Sequence, residues 1–167
     1  LDRQSSRLKK LIEDLVEASK ASTGNLNVEL TKCNLSLLIN QAVGEFSEKL
    51  ERKNLQVVQS VDIEDIYIMA DGRRLWRVFD NLLNNICKYA MGGTRVYIDL
   101  LSSDGKAVIT FRNISELPIN VSANELTERF VRGDRSRNTE GSGLGLSIAK
   151  SLTELQNGSF DISTDGD

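Results

Sequence analysis

Hydrophobic residues recur at helical spacing along much of the chain. In residues 1–22 the spacing is seven and then alternates between three and four, which predicts one helix with a coiled-coil seam. In residues 35–53 and 72–90 an apolar residue occurs at every third or fourth position. This spacing predicts two amphipathic helices, with Asn34 and Asp71 as their N-caps. The seam consists of Leu1, Leu8, Leu11, Leu15, Ala18 and Ser22.

Between these helices, short apolar runs predict strands. Gly92-Gly93 opens a predicted hairpin that turns at Ser103-Asp104-Gly105. A last helix ends at Asn157-Gly158 and a further strand follows it. The resulting order predicts a two-layer α/β sandwich, of the α+β type, with one mixed sheet and helices on one side, preceded by the coiled-coil-like helix. The predicted strands are 26–33, 55–61, 66–70, 95–101, 107–112 and the segment after Gly158.

Three asparagines lie inside the predicted helix 72–90. Asparagine is unfavourable in helices by up to about 0.7 kcal/mol relative to alanine, so three of them call for a reason. Asn81, Asn85 and Lys88 fall on one polar stripe beside the apolar face. Amide oxygens are suitable ligands for Mg²⁺, and a lysine ammonium can bind a phosphate. The alternative is a solvated helix face that happens to be rich in asparagine.

Glycines occupy alternate positions at Gly141, Gly143 and Gly145, directly before and at the start of the last predicted helix. Glycine lets a backbone approach a ligand closely, and a helix start offers free N–H groups to a phosphate. A dinucleotide-binding fold requires a strand immediately before such glycines, and a P-loop requires Gly-Lys-Ser/Thr. Neither pattern is present in this sequence.

Taken together, the two segments resemble the N-box and G2 box of sensor histidine kinases, which belong to the ATPase superfamily that includes gyrase. Residues 81–90 (NLLNNICKYA) resemble the N-box, and residues 129–150 resemble the F-box and G2 box. Residues 7–24 resemble the second helix of the dimerisation hairpin and its exit into the linker. The resemblance covers nearly the whole chain, with the motifs in the order and at the separations of the family.

The resemblance implies a division of the chain and a set of ligands. Residues 1–22 would be the second dimerisation helix, 23–33 the linker and first strand, and 34–167 the ATP-binding catalytic domain. ATP and Mg²⁺ would be the cofactors, with Asn81, Asn85 and Lys88 as the catalytic set and Asn85 and Asn81 as metal ligands. The nucleotide contacts would be Asn85, Lys88, Tyr89, Asn113, Arg132, Gly141, Gly143, Leu144 and Gly145.

One segment departs from the family pattern. Where the family has DxGxG, with an aspartate that accepts a hydrogen bond from the adenine amino group, this chain reads Asn113-Ile114-Ser115-Glu116-Leu117. Asn113 keeps an acceptor oxygen for the same bond, but both glycines are absent. A pseudokinase that only dimerises and docks a response regulator is therefore one alternative function.

Residues 114–140 form a long connection with little periodicity apart from a short predicted helix over Leu126 to Phe130. Connections of this length inside a compact domain are usually functional or mobile. Of its arginines, Arg132 is the candidate phosphate contact, since an arginine on such a segment can neutralise charge that develops during phosphoryl transfer. The alternative is a solvated basic loop.

Composition limits the function further. The chain has 167 residues and a net charge of −3 with both signs interspersed, which favours neither a nucleic-acid partner nor a membrane surface. No apolar run approaches the roughly 20 residues of a membrane helix. The two cysteines, Cys33 and Cys87, have no metal-binding spacing and fit a reduced, cytoplasmic setting. The resemblance allows a parent protein that is anchored in the cell membrane.

The chain contains no histidine. In the family the phosphoacceptor histidine lies on the first helix of the dimerisation hairpin, so we expect this chain to be a fragment cut at both ends and inactive alone. The full-length protein would dimerise through residues 1–22 and pass phosphate to a response regulator. ATP-hydrolysing relatives and serine-directed kinases place a glutamate base where Asn81 stands. A histidine acceptor is therefore favoured over a hydrolysing ATPase, the third hypothesis.

Overall fold

The computed structural model describes residues 2–62, 64–116 and 144–165, and these form five helices and five strands. The helices are α1 (Asp2–Ser22), α2 (Leu35–Glu45), α3 (Ser47–Arg52), α4 (Gly72–Tyr89) and α5 (Gly145–Leu155). The strands are β1 (Thr31–Asn34), β2 (Gln56–Val61), β3 (Tyr67–Ala70), β4 (Arg95–Ser103) and β5 (Lys106–Arg112).

The chain divides into two compact units. One unit is residues 29–118 and contains every strand from β1 to β5, together with α2, α3 and α4. The other combines residues 1–28 with residues 119–167, and in it α1 contacts α5. The domain boundaries given by the family resemblance, after residues 22 and 33, are a different division of the chain and stay a prediction.

A three-stranded sheet forms the centre of the unit at residues 29–118. β4 pairs in parallel with β2 and antiparallel with β5. Along β4, Val96, Ile98 and Leu100 are fully buried while the intervening side chains are partly or wholly exposed, so this sheet has one core face. Helix α4 supplies part of the opposing layer, since the rings of Phe79 and Phe111 lie 6.1 Å apart between centroids.

The remaining two strands, β1 and β3, pair antiparallel as a separate two-stranded sheet. The predicted α+β fold class with mixed strand pairing is confirmed, while the strands divide into two sheets and are not joined in the single sheet that was expected. Strand order along the sequence does not reveal this division because it depends on which edges find partners in space.

Both predicted N-caps are present. The side chain of Asn34 accepts a hydrogen bond from the backbone N–H of Leu37 at 3.1 Å. The side chain of Asp71 accepts from the N–H groups of Arg73 at 3.1 Å and Arg74 at 3.3 Å. Each cap satisfies N–H groups that the first helical turn cannot pair internally.

The helix predicted over residues 35–53 is wrong as one element, because it divides at Phe46 into α2 and α3. The Phe46 N–H donates to the carbonyls of Ala42 at 3.3 Å and Val43 at 3.2 Å, which closes α2. Gly44 lies in the last turn of α2 and weakens the helix there. The break leaves both Phe46 and Leu50 buried in the core.

The first strand begins at Thr31 and not at residue 26, and the strand predicted after Gly158 does not form within residues 158–165. Phe160 and Ile162 are half-buried between exposed neighbours, which is the alternation of an extended chain. A strand also requires ladder hydrogen bonds to a neighbour, and the pattern of side chains alone does not supply them.

Helix α1 presents two different faces. Asp14 and Ala21 are buried, whereas Leu8 is 58% exposed and Leu15 is 50% exposed. Ile12, one turn from Leu8, is exposed as well. Contact with α5 therefore covers only part of the apolar surface of α1, and a stripe that includes two of the predicted seam leucines stays uncovered.

Candidate functional site

Helix α4 carries most of the candidate site, and its start is anchored by Asp71. One carboxylate oxygen of Asp71 caps the helix, and the other accepts from the backbone N–H of Glu29 at 2.9 Å. Burial raises the pKa of this carboxyl, but the bonds from Glu29, Arg74 and Arg73 and the nearby Arg74 charge lower it more, so the pKa lies below 3.8. The side chain is therefore ionised at neutral pH.

The predicted polar stripe runs along the edge of the α4 core face. Asn81 is only 8% exposed, while Asn85 and Lys88 are half-buried. The Nδ2 group of Asn81 is buried and has no hydrogen-bond partner within the described part of the chain. A buried amide donor without a partner costs about 1–3 kcal/mol, so Asn81 in the middle of a core helix is a candidate for contact with a polar ligand.

The third asparagine, Asn84, has a different environment. Its side-chain oxygen accepts from Lys49 Nζ at 3.5 Å, which connects α4 to α3. This contact gives Asn84 a structural role off the stripe. Of the three asparagines, the two on the stripe remain the candidates for binding.

The end of α4 pairs with the segment that follows β5. The N–H of Glu116 donates to the carbonyl of Tyr89 at 2.7 Å, and the N–H of Met91 donates to the carbonyl of Ile114 at 2.7 Å. These bonds place the end of α4, with Tyr89, in space beside the segment that begins at Asn113. The side chain of Asn113 is exposed. The Asn113 segment is therefore held by its backbone even though both family glycines are absent.

We call the pairing of residues 89–91 with residues 114–116 the junction. Lys53 contacts both sides of it, and sequence analysis did not identify this residue. Its Nζ donates to the carbonyls of Cys87 at 2.9 Å and Lys88 at 2.8 Å, in the last turn of α4. It also lies 3.9 Å from a carboxylate oxygen of Glu116. These partners are more than 30 residues away along the chain, so no local pattern signals the contact.

The glycine-rich part of the candidate site is described only from Leu144 onward. Arg132, Gly141 and Gly143 lie outside the described residues. Leu144 is buried and directly precedes α5, which begins at Gly145. An apolar side chain at this position cannot cap the helix, so the first N–H groups of α5 depend on other acceptors.

The other end of α5 is closed as predicted. Asn157 adopts a left-handed φ of 67°, and the N–H of Gly158 donates to the carbonyl of Thr153 at 3.0 Å. A Cβ added to Gly158 would lie 3.2 Å from that same carbonyl oxygen, so the turn favours glycine. The helix has a defined length and therefore presents its start at a fixed position within its own unit.

The cysteines do not form a reactive or metal-binding pair. Cys33 and Cys87 are both free, and burial raises the pKa of the Cys87 thiol although Lys49 and Lys53 act in the opposite direction. Across residues 2–62, 64–116 and 144–165 there is no group of three or more histidine, cysteine, aspartate or glutamate side chains that could hold a metal ion. Amide oxygens of the α4 stripe, completed by phosphate oxygens and water, fit Mg²⁺, which keeps several waters and takes few protein ligands.

Comparison with known proteins identifies the class. Residues 70–167 match the family described as histidine kinase-, DNA gyrase B-, and HSP90-like ATPase, and the chain belongs to this family. The match begins at the last residue of β3 and includes α4, the β4–β5 hairpin and α5. The family resemblance stated from the motifs is therefore confirmed.

Similar proteins are sensor histidine kinases. The chain is 30% identical over 167 residues to the sensor histidine kinase RppB of Synechocystis sp., covering 97% of this chain and 36% of RppB. The structure of the Acinetobacter baumannii histidine kinase AdeS superposes with a TM-score of 0.80 at 18% identity, covering 98% of this chain and 75% of AdeS. Histidine kinase ThkA, in complex with response regulator protein TrrA, matches with a TM-score of 0.73 at 25% identity, covering 98% of this chain and 45% of that one.

The chain thus spans little more than a third of the length of RppB. Within the residues that the structure describes, no helix is both long and apolar enough to cross a membrane.

Proposed function

We propose that this chain is the ATP-binding catalytic part of a two-component sensor histidine kinase. It binds ATP together with Mg²⁺ and presents the γ-phosphate to a histidine that lies outside the chain, since the chain itself contains none. The observation that supports this most directly is Asn81 Nδ2, which is buried and without a hydrogen-bond partner among the described residues, on the same helical stripe as Asn85 and Lys88.

The residues of α4 take specific roles in this proposal. The side-chain oxygen of Asn85 binds Mg²⁺, and Asn81 supports the site by contact with the metal, with water bound to it or with phosphate. Lys88 contacts a phosphate, and Tyr89 lies along the nucleotide. When bound, Mg²⁺ neutralises negative charge on the phosphate oxygens during transfer.

The glycine-rich segment contacts the phosphate chain in the same proposal. Gly141, Gly143 and Gly145 offer backbone N–H groups, Leu144 contributes a further nucleotide contact, and Arg132 contacts a phosphate. Asn113 accepts a hydrogen bond from the adenine amino group. Family membership supports these assignments, because the motifs that carry them match the family in order and separation.

The reaction is transfer of the γ-phosphoryl group from ATP to an imidazole nitrogen. The bond between the γ-phosphorus and the bridging oxygen breaks, a phosphorus–nitrogen bond forms, and ADP leaves. A neutral imidazole nitrogen needs no base to attack, whereas water or a serine hydroxyl does. Position 81 holds an amide, and the adjacent carboxylate of Asp80 is engaged by Arg77 at 3.2 Å, so no unpaired carboxylate is presented by this part of α4.

The proposed partners follow from the same assignment. The parent protein forms a homodimer through residues 1–22, which is supported by the exposed stripe of Leu8, Ile12 and Leu15 on α1. A response regulator receives the phosphoryl group on an aspartate, as the ThkA–TrrA complex supports by analogy. We place the domain in the cytoplasm, with the parent protein anchored in the membrane.

The competing function is a pseudokinase that dimerises and docks a regulator without nucleotide. The sequence Asn113-Ile114-Ser115-Glu116-Leu117 favours it, because both glycines of the family pattern are replaced by residues with side chains. The backbone pairing of this segment with α4 supports the kinase instead, because it keeps the segment ordered beside the site.

Calorimetric titration with ADP separates the two functions. The wild-type chain is expected to bind ADP in the presence of Mg²⁺ and to bind it much more weakly after chelation of the metal. Asn85→Ala is expected to remove the metal dependence, whereas Asn84→Ala, on the same helix but engaged by Lys49, is the matched control and should bind like wild type. Absence of binding by the wild-type chain at millimolar ADP and Mg²⁺ would favour the pseudokinase over the kinase.

A further inference from the structure

Lys53 lies at a point where three segments of the chain meet. It is the residue directly after α3, and its side chain is only 23% exposed. The ammonium group reaches the last turn of α4 and the segment after β5, so one side chain contacts both parts of the junction.

The contacts with α4 use the carbonyls that a helix end leaves without internal partners. Lys53 Nζ donates to the carbonyls of Cys87 at 2.9 Å and Lys88 at 2.8 Å. A positive charge at a helix C-terminus also interacts favourably with the helix dipole. The contact therefore fixes the backbone at Lys88, which is a proposed phosphate-binding residue, without engaging its side chain.

Backbone contacts at Lys53 and Asn54 join the end of α3 to the loop that follows α4. Asn54 has a left-handed φ of 55°, and its carbonyl accepts from the N–H of Gly93 at 2.9 Å. A Cβ added to Gly92 would lie 3.1 Å from the Lys53 carbonyl oxygen, so the loop after α4 approaches the end of α3 closely. The backbone at Lys53 and Asn54 is thus held against the loop that follows α4.

The second contact reaches the segment that starts at Asn113. Glu116 lies 3.9 Å from Lys53 through its carboxylate, and its N–H donates to the Tyr89 carbonyl at 2.7 Å. The ion pair by itself contributes little, since the Glu116 side chain is largely exposed. Its importance is geometric, because it places the ammonium group beside the backbone pairing of residues 89–91 with residues 114–116.

We infer that Lys53 is a positioning residue of the nucleotide site. It holds the last turn of α4, with Lys88 and Tyr89, in register with the segment that begins at Asn113. Loss of the ammonium group leaves the Cys87 and Lys88 carbonyls without this donor and loosens the pairing between α4 and the 113–116 segment. The inference rests on the proposed function, because it assigns both parts of the junction to one nucleotide.

The test compares three variants of the same chain. Lys53→Met removes the ammonium group and keeps the length of the side chain, while Lys53→Arg keeps donors for the carbonyls. Arg52→Met removes one positive charge from the adjacent position, where the side chain is exposed and pairs, among the described residues, with Glu48 of the same helix at 3.4 Å. All three are checked for folding by circular dichroism at the temperature of the binding assay.

The first readout is the affinity for ADP with Mg²⁺ by calorimetry. Lys53→Met is expected to weaken binding by roughly 10- to 100-fold, the usual effect of removing a residue that orients direct ligands. Lys53→Arg should restore most of the affinity, and Arg52→Met should match wild type. Equal affinity of Lys53→Met and wild type, or an equal loss in Arg52→Met, would overturn the inference.

The second readout is hydrogen exchange without nucleotide, which does not depend on the proposed function. In Lys53→Met the N–H groups of Glu116 and Met91 should exchange faster, while those of the β4–β5 ladder keep their protection. Uniform loss of protection would mean that Lys53 contributes only to global stability, and unchanged protection would mean that it holds neither segment. If wild type binds no ADP, the proposed function fails and with it the role in binding, whereas the exchange result still shows whether the junction depends on Lys53.

Discussion

Replacement of Asn81 by leucine separates ligand binding from stability. The Asn81 side chain is nearly fully buried, and its Nδ2 has no hydrogen-bond partner within the described residues. Leucine has the same number and branching of side-chain heavy atoms and no polar atoms, so Asn81→Leu removes the unpaired group without opening a cavity.

The expected gain in stability follows from two contributions. Relief of a buried, unsatisfied amide is worth about 1–3 kcal/mol. The better helix propensity of leucine adds up to about 0.7 kcal/mol. For a chain of this size, each kcal/mol raises Tm by roughly 2–4 °C, so a rise of roughly 2–15 °C is expected without nucleotide. Affinity for ADP with Mg²⁺ should fall by at least about tenfold, equivalent to about 1.4 kcal/mol.

Differential scanning calorimetry gives Tm, and isothermal titration gives the affinity. Asn84→Leu is the matched control because it makes the same change one turn along α4, where the amide already has Lys49 as a partner. That control should gain little or no stability and should keep its affinity for ADP. The reasoning is refuted if Asn81→Leu lowers Tm, if it behaves like Asn84→Leu, or if it binds ADP as tightly as wild type.

Three further predictions address other parts of the site. Asn113→Ala should weaken ADP by about 1–3 kcal/mol through an unpaired adenine amino group, and wild type should bind GDP poorly; equal affinities for ADP and GDP by titration would remove Asn113 from the site. Asp71 has a lowered pKa, so it contributes stability above its ordinary pKa of 3.8 that is lost as pH falls through its folded pKa. In urea unfolding, Asp71→Asn should be less stable than wild type by about 1 kcal/mol at pH 7, and the two stabilities should converge below pH 3.8. A difference that stays constant with pH would contradict this role of the Asp71 carboxylate. With radioactive ATP the chain alone should neither label itself nor release phosphate beyond a trace. Joining a histidine-bearing helix before residue 1 should produce acid-labile, base-stable phosphohistidine, and Asn85→Ala should abolish this product. Acid-stable phosphoserine would exclude a histidine kinase.

Elements whose signals lie within a few residues were predicted correctly from the sequence. The α4 helix follows its apolar spacing from the Asp71 cap onward, and the β4–β5 hairpin turns at Asp104-Gly105, where both residues have positive φ as such turns require. The stop at Asn157-Gly158 has the same local origin. Caps, positive φ and helical periodicity depend on neighbouring residues, which is why one sequence is enough to find them.

In the candidate site, too, some features are visible in the sequence and others depend on the packing of distant residues. Asn81, Asn85 and Lys88 share a helical stripe, so their grouping was visible in the sequence, although their role in binding stays a prediction. The burial of Asn81 without a partner was not visible, because it depends on what packs against α4. The Lys53 contact joins residues 34 and 35 positions apart, and no periodicity connects them.

The sequence by itself therefore determined the family, the fold class and the helix on which the proposed metal ligands lie. Tertiary structure alone decided that residues 35–53 form two helices, that the strands form two sheets, and that Lys53 joins the end of α4 to the segment after β5. The physical reason is the distance along the chain between the residues whose interactions decide each feature. Local conformation follows from the preferences of adjacent residues, whereas strand partners, buried donors and side-chain contacts across the fold are selected by the packing of the whole unit.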